Sequence, residues 1–158
     1  MSQSGSTFST AELESLAWLL DGIDPWDVAL RCEEDDATRG LVLWCSRGRP
    51  IALGHRIFVP KGRRGDVALL AHEMMHVRQY REWGPLVYYA RGAWEQAKYL
   101  ASRMGLAANP YDWTGTPRKR FAEYGMEQQA QLVEDHVRGD QTAAEIVRSG
   151  KWEVGRGE

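Results

Sequence analysis

The sequence predicts an α+β fold, mostly helical, with a small antiparallel sheet placed before its central helix. Three observations predict it. Apolar residues recur at helical spacing over residues 66–83, 85–104 and 126–137. Two short apolar runs, Leu41 to Cys45 and Ile51 to Val59, flank the turn-forming Arg47-Gly48-Arg49-Pro50, which is the pattern of a β-hairpin. Capping and stop residues stand at the boundaries those helical periods require.

Taken from the N-terminus, Ser2 to Thr7 is polar and rich in Gly and Ser, so residues 1–8 are expected to form a flexible leader to a single domain over residues 9–158. Ser9 and Glu12 form a capping box, Phe8 and Leu13 a hydrophobic staple, and Leu13, Leu16, Ala17 and Leu20 an amphipathic helix ending near Gly22. Asp24-Pro25 predicts a second helix through about Glu33, since Asp caps and Pro suits the first turn. The hairpin follows the acidic turn Glu33 to Asp36. If one of its strands is exposed, an extended peptide can add to it as a further strand. Lys61, Arg63 and Arg64 read as a solvated basic turn. Asp66 then caps the central helix, and Gly84-Pro85 stops it. Pro85 to Met104 predicts another helix, with Trp94, Ala97, Leu100, Ala101 and Met104 facing the core and Gly105 as its stop. After a loop over residues 106–120, Met126, Ala130, Val133 and Val137 mark a helix packed along one side, and Asp140 to Arg148 a short last one ended by Gly150.

A chain of 158 residues that is 43% hydrophobic and carries seven Trp can bury one modest core, and no internal repeat divides it. A net charge of −2 with mixed signs provides no electrostatic case for nucleic acid or membrane as partner, and a monomer is expected. Cys32 and Cys45 make neither a metal motif nor a disulfide framework and are expected to be reduced and buried. No apolar run approaches the ~18 residues of a membrane span, and the first residues lack a charged start and apolar stretch, so the expectation is synthesis in the cytoplasm without a signal peptide.

The most informative motif is His72-Glu73-Met74-Met75-His76 in the central helix. Side chains four apart share one helical face, so both imidazoles can reach one tetrahedral zinc ion at about 2.0–2.1 Å. Glu73 lies ~100° round the helix, where its carboxylate can address a water on the metal without ligating it, the general-base position of a metallopeptidase. Val67, Leu70, Met74 and Val77 project opposite the two histidines, while Leu69, Gln79 and Trp83 continue the histidine side. Both faces are expected to be buried, as an internal metal site requires.

A catalytic zinc takes three protein ligands and leaves its fourth position to water, so a further donor must come from elsewhere. The tight spacing with a third histidine is excluded, because Gln79 and Glu82 occupy the positions it needs. Glu127 is the leading candidate, on a stripe with Glu123, Gln131 and Glu134. Asp112 is the runner-up, followed by Glu123, Glu134, Asp135 and His136. Gln131, one turn after Glu127, and Gln79 are candidates to hold a ligand from behind. Two histidines and one carboxylate suit zinc, although iron, cobalt and manganese accept the same donors. For the oxyanion of a tetrahedral intermediate, Tyr124, His136 and Tyr111 are the foremost candidate donors, with Tyr88 and Tyr89 behind them.

The stretches AHEMMHVRQYREWGP and EYGMEQQAQLVEDH resemble the zinc metallopeptidase domains of bacterial contractile injection systems, both the extracellular injection system core family and the HExxH peptidase domains attached to type VI secretion spikes. The shared pattern is His72, Glu73, His76, Val77 and Gln79, followed by Glu127, Gln128, Gln129 and Ala130 on a later helix. PIALGHRIFVP resembles the strand pair those domains place before the metal helix, so the likeness covers roughly residues 50–138. It implies a zincin-like fold of the gluzincin type, Glu127 as third ligand, one zinc ion, a peptide or protein substrate, export by a contractile secretion system, and an immunity or secretion-apparatus partner. Many members close with Asn-Pro-x-Glu where this chain has Asn109-Pro110-Tyr111-Asp112, which keeps Asp112 open as a ligand. The alternative to a peptidase is a zincin-shaped interaction domain that turns over nothing.

Overall fold

The structure is a computed structural model that describes residues 8–20, 22–32, 49–60, 62–116 and 118–150. The chain divides into two units, Met1–Glu82 and Trp83–Glu158. Among the described residues the fold is mixed α+β, mostly helical with one three-stranded sheet.

In the first unit the capping box forms as predicted. Ser9 Oγ accepts from the Glu12 N–H at 3.3 Å, and the Glu12 carboxylate accepts from the Ser9 N–H at 2.6 Å, at the start of α1 (Thr10–Leu16). This helix ends well before Gly22. The Leu19 N–H reaches back only three residues, to Leu16 O, and the tighter turn leaves Ala17 exposed while Leu16, Leu19 and Leu20 are buried. Phe8, assigned to the leader by sequence, is a buried core residue.

Asp24-Pro25 starts a single 3-10 turn, Pro25–Asp27, in which the Asp24 side chain accepts from the Trp26 N–H at 2.9 Å. The helix expected after Asp24-Pro25 does not form over the described residues 25–32. Val28 and Leu30 are buried while Ala29 and Arg31 are half-buried, a period of two rather than 3.6, and residues Ala29–Cys32 form strand β1. The cap signal was real, but hydrogen bonding to a distant strand overrode helix propagation.

The run Ile51 to Val59 is not one strand but a complete hairpin of β2 (Ile51–Leu53) and β3 (Arg56–Val59). Leu53 pairs with Arg56 across Gly54-His55, and Gly54 adopts φ 63, a conformation that costs glycine no Cβ clash. β3 is the middle strand, antiparallel to β2 and parallel to β1, so the sheet is mixed where an antiparallel one was expected. The other expected strand, Leu41 to Cys45, lies outside the described residues, as does any pairing of Cys32 with Cys45.

Helix α2 (Val67–Arg103) is capped by Asp66, whose Oδ1 accepts from the Leu69 N–H at 3.1 Å. Gly84, at φ 75 and ψ 165, breaks it into two limbs just before Pro85, where the sequence signals its stop. The hairpin turn packs on the first limb: the His55 and Tyr80 rings meet edge to face at 5.1 Å, and Tyr80 lies 3.4 Å from where a Cβ on Gly54 would stand. Arg78 ties the same limb to the turn after α1, donating to Leu19 O at 3.3 Å and to Glu82 Oε1 at 2.9 Å.

In the second unit, the second limb of α2 faces inward with Tyr88 and Glu95, both buried, and with the half-buried Gly92 and Tyr99. The predicted inward stripe of Trp94, Leu100 and Met104 is exposed instead. Helical spacing identifies a stripe but not its direction. Here the narrow Gly92 side lies close to the next helix, with Met126 Cε 4.0 Å from the place of a Gly92 Cβ, and a bulky Trp or Leu stripe cannot approach as closely.

The loop after this limb carries two side-chain turns, Asn109 Oδ1 accepting from the Tyr111 N–H and Asp112 Oδ1 from the Thr114 N–H. A 3-10 turn at Phe121–Glu123 leads into α3 (Met126–Val137) and α4 (Gln141–Ser149), the latter capped by Asp140 and ended at Gly150. Both helices match their predicted spans to within a residue. An added Cβ on Gly150 would lie 2.4 Å from Phe121 Cβ, a contact no rotamer change can relieve. Gly150→Ala is therefore expected to destabilise the protein by about 1–3 kcal/mol in a denaturant titration. Gly65→Ala, which meets open space, should stay within about 0.5 kcal/mol of the parent.

Candidate metal centre

Ten consecutive residues of α2, from Leu70 through Gln79, are buried on every side of the helix. Four of them, His72, Glu73, His76 and Gln79, are polar groups of the motif. An unsatisfied polar group costs about 1–3 kcal/mol when buried, so such a concentration is kept only where the groups have something to bind. The helix also fixes their mutual geometry. His72 and His76 stand one turn apart with ring centroids 5.1 Å from each other and planes inclined by 75°.

Glu127 completes the group. One ligand atom each from His72, His76 and Glu127 lies within 4.8 Å of the other two, and all three residues are buried, so the group can hold a metal ion. Among the described residues no other cluster of His, Cys, Asp and Glu has this property. The donor set itself fits a borderline divalent ion, two neutral imidazoles and one carboxylate.

His76 is prepared for ligation from behind. Its Nδ1 lies 2.8 Å from Gln79 Oε1, and Gln79 is fully buried. An amide oxygen can only accept, so the bond needs the proton on Nδ1 and makes Nε2 the ring's lone-pair donor, the tautomer a metal ligand requires. The sequence placed Gln79 on the histidine face, and the structure brings it into contact.

The competing acids are engaged elsewhere. Asp112 is exposed, and its carboxylate accepts from the Thr114 hydroxyl at 2.7 Å and the N–H groups of Thr114 and Gly115, which hold its pKa below the ordinary value. It shapes a turn and is not part of the metal group. Glu123 is exposed and accepts from the Arg120 N–H at 2.9 Å; that bond, then Arg120's side chain, lowers its pKa. Glu134 pairs with Arg138 at 2.9 Å. Asp135 accepts from Trp113 Nε1 at 2.7 Å and from Gln131 Nε2 at 3.0 Å, so Gln131 serves this clamp rather than a metal ligand.

Of the candidate oxyanion donors, His136 stands nine residues after Glu127 on α3. That spacing is about 13 Å along the axis and half a turn round it, so His136 cannot reach a group held by Glu127. Tyr124 is buried, with its Oη accepting from the Lys119 N–H at 3.3 Å, and Tyr111 is half-buried with its ring edge-to-face against Tyr99 at 5.7 Å. Tyr88 and Tyr89 meet each other edge to face at 5.2 Å on the second limb of α2. These contacts assign none of the four tyrosines to the centre. The Trp113–Asp135 bond, and the 2.7 Å bond from Gln128 Nε2 to Asp112 O that joins the same loop to α3, had no sequence signal, because each joins residues sixteen or more apart without periodicity.

Comparison of the chain with known protein families, with curated proteins and with solved structures finds no match. The geometry of the centre therefore carries the functional reading.

Glu127→Ala should lower affinity for a divalent metal ion by at least about 100-fold in a competition titration, whereas Asp112→Ala should leave it unchanged; Gln79→Leu should fall between, at about 10–100-fold. A separate pH effect is expected from His136, whose pKa is lowered by burial and then by Arg148. The unfolded chain takes up this proton at a higher pH than the folded one, so stability is full above the ordinary value of 6.5 and is lost as pH falls from there toward the folded pKa. His136→Gln should lose less stability than the parent between neutral and mildly acidic pH, measured by denaturant midpoints.

Proposed function

We propose that the chain is a zinc-dependent metallopeptidase in which His72, His76 and Glu127 hold the ion and Glu73 is the general base. The observation that carries this reading is the convergence of two imidazoles and one remote carboxylate at a buried group whose helix also presents Glu73. Three protein donors would leave a zinc ion room for solvent or substrate, the donor count that distinguishes a catalytic from a closed structural site. Zinc held by His72, His76 and Glu127 would supply Lewis acidity toward a peptide carbonyl and would lower the pKa of a water toward about 7.

The chain's own residues do the rest. Glu73 is offset from the two ligands by its place in the helix, so its carboxylate accepts the proton of the attacking water and returns it to the departing amine nitrogen. Gln79 accepts from His76 Nδ1, which fixes the tautomer in which Nε2 is the donor atom that would face the ion. An extended substrate is proposed to align along β2, an outer strand of the sheet among the described residues. The resemblance to domains of contractile injection systems supports an exported effector as the setting for this chemistry.

Glu73→Gln should keep zinc at one equivalent while lowering hydrolysis of an unfolded protein substrate by about 100- to 10,000-fold. Peptide cleavage at the parental rate in that variant, with zinc still bound, would remove Glu73 from the base role and the peptidase reading with it.

A further inference from the structure

The second limb of α2 buries its polar side and exposes its apolar one. Leu86 is 87% exposed, Met104 67%, Trp94 65% and Leu100 56%. Projected at about 100° per residue, Leu86, Ala90, Ala93, Ala97, Leu100 and Met104 lie along one line of the helix, and with their neighbours they cover an arc of about 160° that holds no charged residue. The limb from Pro85 to Arg103 makes this strip roughly 28 Å long.

The strip is graded from its middle outward. Leu, Ala and Met occupy the centre. Tyr89 borders it on one side, and Trp94 with Val87 on the other, all exposed. Beyond them stand two cations not paired with an acid of the limb, and one amide: Arg91 past Trp94, Gln96 and Arg103 past Tyr89. Arg91 is steadied over the Trp83 ring at 4.2 Å from its centroid. The limb's sole acid, Glu95, is buried on the opposite side, where Lys98 Nζ approaches it to 2.6 Å.

From this order we infer that the second limb of α2 lies flat on an anionic lipid surface. Aliphatic centre, aromatic border and cationic rim follow the sequence of acyl chain, interface and charged headgroup met on leaving a bilayer. A second copy of the chain fits the strip less well. An antiparallel pair would face Arg91 and Arg103 with the same two cations and bring no exposed acid from the limb to meet them. The whole-chain charge of −2 argued against membranes, but attachment depends on the charge beside the apolar face, where it is positive. No described helix is long and apolar enough to cross a membrane, so this contact is one of lying on the surface. The inference is independent of the peptidase reading.

The test is co-sedimentation of the full chain with sucrose-loaded vesicles of phosphatidylcholine alone or with about 30% phosphatidylserine. Binding to the anionic vesicles should be at least about 10-fold tighter than to the neutral ones and should weaken in about 0.5 M NaCl. Leu100→Glu should reduce it about 10-fold or more, and Arg91→Ser or Arg103→Ser about five-fold each. Leu100 is exposed, so the Glu variant should melt within about 2 °C of the parent. Failure to bind anionic vesicles, binding that ignores lipid charge, or binding that survives Leu100→Glu would each overturn the inference. So would a dimer in sedimentation velocity that Leu100→Glu dissociates, because a second copy would then occupy the strip.

Discussion

The constraint on which the rest depends is the helical repeat acting on His72 and His76. Residues four apart rise about 6 Å and turn only ~40° past a full circle, so two imidazoles are delivered to one place by the backbone alone. A metal site needs more than this pair. It needs the pair to be dry, held in one tautomer and met by a third donor. Burial of residues 70–79 satisfies the first condition, Gln79 the second, and Glu127 the third.

Each condition is imposed by a packing interaction outside the motif. The hairpin turn reaches the helix through His55 and Tyr80, one residue beyond Gln79, while Arg78 anchors it to the turn after α1. Short side chains do similar work on the carboxylate's helix. Gly125 stands 3.5 Å from Glu95 Oε1 by the measure of an added Cβ, and Gln128 accepts from the Gly125 N–H while its amide holds the Asp112 carbonyl. Trp113 and Asp135 then fasten the loop to α3. A ligand carried on a helix held in this way has fewer rotamers and less backbone freedom to lose when it binds.

Legibility in the sequence followed the range of the interaction. Ser9 with Glu12, Asp66 with Leu69 and Asp140 with Ala143 are contacts over three residues, and the helix starts they mark are where the sequence puts them. The break at Gly84-Pro85 is equally local. Strand β1 is different: Ala29 to Cys32 becomes a strand by pairing with Arg56 to Val59, and nothing nearby outweighs the helix start signalled by Asp24-Pro25. The same limit misdirected the second limb of α2. Periodicity located the stripe through Trp94, Leu100 and Met104, but whether it faces core or solvent depends on what packs against Tyr88 and Gly92.

By itself, then, the sequence determined the spacing of the histidines, the identity of every donor and the caps that begin the helices, since these rest on covalent order and hydrogen bonds within a turn. Only the tertiary structure decided which of several acids joins the histidines. Asp112, Glu123, Glu134 and Asp135 carry the same chemistry as Glu127, and they are separated from it by their neighbours: turn amides, Arg120, Arg138 and Trp113 engage them one by one. Contacts between residues far apart in the chain have no local code, because their free energy exists only once the whole backbone has brought the partners together.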